Sequence, residues 1–485
     1  MHYADLAVIL VYLAGITWFG ARFRRTQKSL KDYFLGGRTA PWWAIALSIV
    51  SAETSTLTII GTPALAFAGN FGFLQVVFGY LLARIVIALL FLPQYFRGEM
   101  YTAYELIERR FGQRLRRVTA AVFLVVRALA EGVRVFAISL VVAIVLGTGE
   151  TASIFLIVCL TLFYTFEGGM TAVIWTDVVQ MFLYVLGAVV SFFVILHQIP
   201  GGWAHVVAVA GPAGKLQVFD FALGPHFFSR TYGFWAGLVG GCFLTTASHG
   251  TEQLIVQRLL AARSERESRA ALFASWVVIL IQFGLFLLIG AALFVHYSDL
   301  HLAAPRVPDS LYPAFVWHYL PPGLAGLIIA AIAAAAMSNL SAALNALAST
   351  SILDFYRPWR ERRAKPHSER DYLRLARGAT VLWGIVLFGI GTAARSWGGV
   401  LETGLTIASI AYGGLLGVFL LGMLTRRVGQ NAAIVGMLCG IVFEIYLKLM
   451  TPIAWTWYVA FGTAVTFAVA CLIHSMQIFK IRRSA

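Results

Sequence analysis

Thirteen long apolar segments run through this chain, and nothing else in the sequence restricts the fold so severely. They cover roughly 3–20, 42–68, 71–96, 118–147, 151–166, 171–197, 232–258, 270–296, 321–352, 373–394, 398–424, 430–450 and 455–478. A hydrocarbon core of ~30 Å takes ~20 apolar residues per spanning helix. Inside lipid every backbone N–H and C=O must be satisfied within the chain, so segments of this kind are helices. A membrane β-barrel would instead show ~10-residue stretches of alternating character, and there are none. Charged residues make up 12% of the chain and hydrophobic ones 60%, about half the charge of an ordinary soluble protein. The expected fold is therefore all-α and membrane-integral.

The first run, Leu6–Phe19, follows acidic Asp5 rather than a basic cluster, so it reads as a retained helix and not a cleaved leader. Cys159, Cys242, Cys439 and Cys471 all lie inside apolar runs. Cysteine there acts as a small hydrophobe, and no disulfide or metal-ligand spacing is present.

A formal charge of +15 could point to nucleic acid, but its placement points to a membrane. Of 37 Lys and Arg residues, 29 fall in alternate loops: 22–38, 97–117, 258–269, 357–377, 426–427 and 480–483. The opposite loops hold five: Lys215, Arg230, Arg306, Arg395 and Lys448. By the positive-inside rule this puts the N-terminus outside and the C-terminus in the cytoplasm of the cell (inner or plasma) membrane. Arg84, Arg127 and Arg134 fall within apolar segments.

Two segments carry the marks of interruption. The second reads Ser51-Ala-Glu-Thr-Ser-Thr-Leu-Thr-Ile-Ile-Gly-Thr-Pro63, and the seventh Gly237-Leu-Val-Gly-Gly-Cys-Phe-Leu-Thr-Thr-Ala-Ser-His-Gly-Thr-Glu252. Each mixes hydroxyls, glycine and one acid at membrane depth. They are five segments apart. If segments 2–6 and 7–11 are repeats, the odd number makes them inverted, and paired interrupted helices point to a binding site at the bilayer midplane. Close packing of glycines between neighbouring helices is the plainer alternative.

Ionisable groups at membrane depth are costly and therefore candidates for function. Glu53, Arg84 and Arg134 fall near the middle of their segments, at ~1.5 Å rise per residue. Arg127, Glu131 and Arg134 share one helix face. Glu131 can neutralise both arginines of its own helix, and Glu53 can neutralise Arg84. Among Glu53, Arg84 and Arg134 there is one more cation than anion, and an unpaired midplane arginine calls for another acid or an anionic ligand. Asp177 sits toward the cytoplasmic end of the sixth segment. In the ninth, Ser338, Asn339, Ser341 and Asn345 cluster mid-segment. They are either hard oxygen ligands for sodium or interhelical hydrogen bonds.

With these residues in view, the chain resembles the sodium:solute symporter family. The resemblance rests on Asp32-Tyr-Phe-Leu-Gly-Gly-Arg38, the stretch from Gly168 to Gln180, the stretch from Gln253 to Arg263, the polar cluster of the ninth segment, and Val418-Phe-Leu-Leu-Gly422. They occur in the family's order over most of the chain. The resemblance implies a LeuT-type five-plus-five inverted repeat within one transporter domain over 1–485. Helix 1 is at 3–20, the repeats are at 42–197 and 232–424, and peripheral helices lie at 430–478. It implies a sodium site of carbonyls at Ser51, Thr54 and Ala335 with the side chains of Ser338 and Asn339. The family's usual ligand at Asn339 is a hydroxyl. A second cation position would use Asp177, Ser338 and Ser341; Ala342 stands where a further hydroxyl is expected, which favours one sodium per solute. Gln75 matches a polar substrate contact and His249 an inner-gate aromatic. Glu53, Thr58, Ile279 and Leu405 do not preserve the contacts of the sugar-transporting members.

The expected function is sodium-coupled symport of a small polar organic solute, a carboxylate-bearing sugar or a zwitterion, by alternating access. Glu53, Thr58, Gln75, Arg134 and His249 are the substrate candidates, and a monomer is sufficient. A proton-coupled or uncoupled transporter of the same fold, with Asp177 as proton carrier, is the nearest alternative. A membrane sensor on this scaffold would be expected to append a soluble signalling domain, whereas the last apolar segment stops about seven residues before the end of the sequence. An enzyme is not expected: there is no nucleophile–base pair, metal motif or phosphate loop.

Overall fold

The computed structural model describes residues 3–22, 38–97, 103–164, 170–303, 305–363 and 369–484. Among them all regular structure is helical, apart from one isolated bridge between Ala40 and Ala262. The helices are α1 (Tyr3–Arg22), α2 (Trp42–Glu53), α3 (Thr56–Ala68), α4 (Phe73–Phe96), α5 (Tyr104–Phe111), α6 (Gln113–Leu146) and α7 (Glu150–Tyr164). Next come α8 (Met170–Gln198), α9 (Gly202–Ala210), α10 (Phe234–Gly250), α11 (Gln253–Leu260), α12 (Glu265–Asp299) and α13 (Leu311–Tyr319). The chain closes with α14 (Leu324–Thr350), α15 (Arg357–Arg362), α16 (Glu369–Ala394), α17 (Val400–Leu424), α18 (Gln430–Met450) and α19 (Tyr458–Ser484). The Asp32–Gly37 part of the first family-like motif lies outside the described residues.

By length and apolarity nine of the described helices can cross a membrane, or ten if the bent pair α2/α3 is one span. The remaining three of the thirteen segments are the short apolar stretches Tyr3–Ile16 and Glu150–Leu162 and the split pair α10/α11. Leu89, Ile281, Leu382 and Val442 are each at least 60% exposed, a pattern suited to lipid and costly in water.

The two split helices lie at the centre. α2 and α3 pack on α12, and α10 packs on α4. The α10–α4 contact depends on glycine. A Cβ on Gly237 would meet the Gln75 backbone at 2.7 Å, and one on Gly79 would collide with the Gly237 and Leu238 carbonyls. The glycines of the seventh segment thus serve close packing, while the interruption is a separate feature just beyond them. α6, α14 and α17 surround this pair, α18 and α19 pack outside α17, and α1 lies along α14. That last contact is keyed by one acid: Asp5 Oδ1 accepts from Gly323 N at 2.7 Å and Gly326 N at 3.0 Å. A buried carboxylate so placed satisfies orphan amides of the α14 N-terminus and complements its dipole.

Candidate functional site

The break between α2 and α3 turns the chain by 64° at Thr54 and Ser55. Thr54 N still reaches Val50 O at 2.8 Å, but Ser55 N turns back to Glu53 O at 3.2 Å instead of continuing the ladder to Ser51 O. The Ser51 carbonyl is thereby released at a buried position. Released carbonyls are the hard oxygen donors that a bare alkali cation needs in place of water. The Thr54 hydroxyl donates to Gln282 Oε1 of α12 at 3.2 Å. Gln282 is buried and its Nε2 lacks a partner; the sequence reading passed over it, although an amide within an apolar run was a visible signal. On α14, Asn339 and Ser341 are half-buried. The side chains of Ala335, Ser338 and Asn345 lie outside the described residues.

The second break falls at Thr251 and Glu252, later than most of the stretch expected to be interrupted: α10 runs unbroken through Gly250. Glu252 takes extended backbone angles before α11 and does not cap that helix with its side chain. Its carboxylate is drawn elsewhere. Oε1 lies 3.1 Å from Arg127 Nη1, and Oε2 accepts from the Tyr412 hydroxyl at 2.7 Å. Arg127 also pairs with Glu131 at 3.0 Å, and Glu131 with Arg134. A chain of charge therefore joins Arg134, Glu131, Arg127, Glu252 and Tyr412 across α6, α11 and α17.

A second ionic cluster forms at the first break. Glu53 Oε2 is 2.9 Å from Arg84 Nη2 and 3.2 Å from His249 Nε2. Arg84, wholly buried, also donates to Leu272 O, Ser275 Oγ and Tyr80 O. Each of its three guanidinium nitrogens finds an acceptor within the protein. The surplus cation expected from Glu53, Arg84 and Arg134 is balanced, because Glu131 and Glu252 supply the missing anions.

Both clusters face one cavity of about 180 Å³. Glu53, Thr58, Arg134 and His249 all line it. Gln75 does not: its amide donates to Gly72 O and Tyr232 O and accepts from Asp220 N, tying loop to helix at the end of α4. Most of the remaining wall is apolar, with Phe73, Phe123, Val126, Leu244, Leu405 and Leu415. Arg134 is 24% exposed, and its buried Nε has no partner among the described residues.

One end of the cavity is shut. Phe73 stacks on Phe283 with centroids 4.9 Å apart and meets Tyr232 edge-on. The Tyr232 hydroxyl donates to the Glu402 carboxylate. Leu401 abuts Gly61, where a Cβ would come within 2.7 Å. Tyr104, Val122, Leu254 and Leu415 line the cavity as well, and Tyr104 and Leu254 lie next in sequence to basic loops.

At that basic end, Asp177 of α8 is not free. Its Oδ2 accepts from Arg258 Nη2 at 2.8 Å and from Ser48 Oγ at 2.7 Å, and Arg258 Nε donates to Ser48 Oγ at 2.9 Å. Arg258, counted from the sequence with the loop charges, is 3% exposed and pins α11 to α2 and α8. Apolar Leu254, Ile255, Val256, Leu259 and Leu260 around it were the signal that this stretch is packed rather than solvated.

The family model described as the sodium:solute symporter family matches residues 33–440. The sodium-coupled monocarboxylate transporter 2 of Bos taurus is 28% identical over 478 residues, covering 95% of this chain and 75% of that protein. The sodium/glucose cotransporter of Vibrio parahaemolyticus is 28% identical, covering 93% and 86%. A substrate-bound outward-open structure of a Na+-coupled sialic acid symporter superposes with a TM-score of 0.82 at 26% identity, over 98% of each chain.

Proposed function

Because this chain belongs to the sodium:solute symporter family, we propose that it imports a small carboxylate-bearing solute together with sodium by alternating access. The observation that carries this reading is Arg134. Its guanidinium lines the cavity beside both broken helices and keeps one donor unused. A planar fork of donors is suited to a carboxylate. The apolar wall narrows the class. A hexose would bury hydroxyls against Phe123, Leu244, Leu405 and Leu415, and each unpartnered hydroxyl costs about 1–3 kcal/mol. A short carboxylate with an apolar chain buries instead what the wall prefers. Two of the similar proteins are named for carboxylic acids, monocarboxylates and sialic acid.

Sodium binds, in this proposal, where α2 breaks: to the carbonyls of Ser51, Thr54 and Ala335 and the side chains of Ser338 and Asn339. The released Ser51 carbonyl supports that assignment. Arg258 holds Asp177, so the second cation position of Asp177, Ser338 and Ser341 is disfavoured. The basic end of the bundle is cytoplasmic in a cell membrane, with the N-terminus outside, so the cavity described here faces inward. The two inverted repeats are 42–197 and 232–424, and one chain suffices.

Proteoliposomes offered a panel of external labelled short carboxylates, glucose and zwitterionic amino acids test the proposal under an inward sodium gradient, a proton gradient, or neither. Sodium-dependent uptake of a carboxylate is expected. Uptake driven equally well by protons without sodium, or of glucose alone, contradicts it.

A further inference from the structure

Glu444 stands apart from everything used above. It lies on α18, two turns from the Met450 end, and is completely buried. Among the described residues neither carboxyl oxygen has a hydrogen-bond partner. The carboxyl group lies in a notch between Gly413 of α17 and Gly462 of α19; a Cβ on either glycine would overlap Oε1. One turn away along the same seam, Thr466 Oγ1 is also unpartnered, and Thr463 donates to Gly413 O at 3.3 Å.

Among the described residues no cation reaches this group. On α18, Lys448 is one turn on but exposed. On α17 the neighbouring Tyr412 turns its hydroxyl to Glu252, and Glu402 is nearly three turns distant at the helix start. On α19, Tyr458 donates to Ile453 O, and His474 is three turns beyond Gly462. α6 meets α18 at its other end, where Gly112 abuts Gln430 and the nearby charges are Arg114, Arg116 and Arg117. A lone carboxylate in such surroundings is not tolerated as an ion: it takes up a proton instead. A bare metal cation is the other way to neutralise it. The glycine notch, however, is filled by the carboxyl group itself, which leaves that side no room for a coordination sphere.

We propose that Glu444 is a proton-binding site, a neutral carboxylic acid whose proton allows α18 and α19 to seat against α17. The Gly413 it abuts belongs to α17, whose Tyr412 and Leu415 line the solute cavity from other faces of the helix, so ionisation at Glu444 would push on the helix that forms a wall of the transport pathway. The site is separate from the sodium and solute positions and stands whether or not that reading holds.

Infrared spectroscopy of the reconstituted protein in D2O tests it, with Glu444→Gln and Glu444→Lys beside wild type. Glutamine reproduces the shape of the protonated acid. The expected result is a protonated-carboxyl C=O band at neutral pH that is lost in Glu444→Gln. Glu444→Gln keeps the fold and its thermal stability while Glu444→Lys loses both. Identical wild-type and Glu444→Gln spectra in the carboxylic-acid region overturn the proposal. So does a Glu444→Gln protein that fails to fold, since a neutral isostere would then be insufficient.

Discussion

Glu53 and Arg84 form an ion pair of 2.9 Å between the first helix break and α4, with Arg84 wholly buried. Arg84 also donates to Leu272 O, Ser275 Oγ and Tyr80 O, so the pair ties α2, α4 and α12 together. Arg84→Met should leave half-buried Glu53 with His249 as its remaining partner and cost about 3 kcal/mol, much of it recovered in Arg84→Met/Glu53→Gln. Thermal unfolding in detergent measures both. Wild-type stability in the single variant would show that the pair contributes nothing.

Arg134 differs because it faces the cavity and shares only Glu131. Arg134→Lys should keep the fold and the sodium dependence and raise the solute KM about tenfold, as one well-oriented charged hydrogen bond is lost. The split between KM and thermal stability separates a solute contact from a structural pair. Unchanged KM would remove Arg134 from the solute site.

Ser338→Ala should weaken apparent sodium affinity about tenfold or more by removing one oxygen donor, whereas Asn339→Ser should be tolerated. Sodium titrations of uptake read both. A loss in Asn339→Ser as complete as in Asn339→Leu would assign the amide another task.

Arg258 and Ser48 already occupy Asp177, so one sodium per solute is expected. Reversal potentials of the reconstituted protein give the ratio, and a slope for two sodium ions per solute contradicts it. Arg258→Gln, by freeing Asp177, should raise the sodium sensitivity of the inward-facing state.

Asp309, outside the spanning helices, accepts from Val400 N at 3.0 Å at the start of α17, and burial raises its carboxyl to about 6. That rise corresponds to about 3 kcal/mol. A raised carboxyl binds more protons in the folded state than in the unfolded one, so its contribution to stability is fully present below about 4 and is lost as pH rises through about 6. Relative to Asp309→Asn, wild type should therefore gain stability on acidification from pH 7 to pH 4.5. Parallel unfolding profiles for the two proteins would exclude the effect.

Much of this protein was determined by the sequence alone, because lipid imposes its demand locally. A run of ~20 apolar residues must be a helix whatever surrounds it, and the alternation of basic loops needs no knowledge of packing. The break at Thr54–Ser55 and the pairing of Glu131 with Arg127 and Arg134 were legible for the same reason: they follow from one stretch of chain and helix spacing. Tertiary structure decided what depends on meetings across the fold. Glu53 had two arginines available and took Arg84; Glu252 met Arg127 and Tyr412 from helices 125 and 160 residues away. Asp177 was neutralised by an arginine 81 residues on, Gln75 was drawn into the loop junction, and Glu444 was left among glycines with no partner. Charge partners are chosen by distance in space, and a linear pattern carries no measure of that distance between one helix and another.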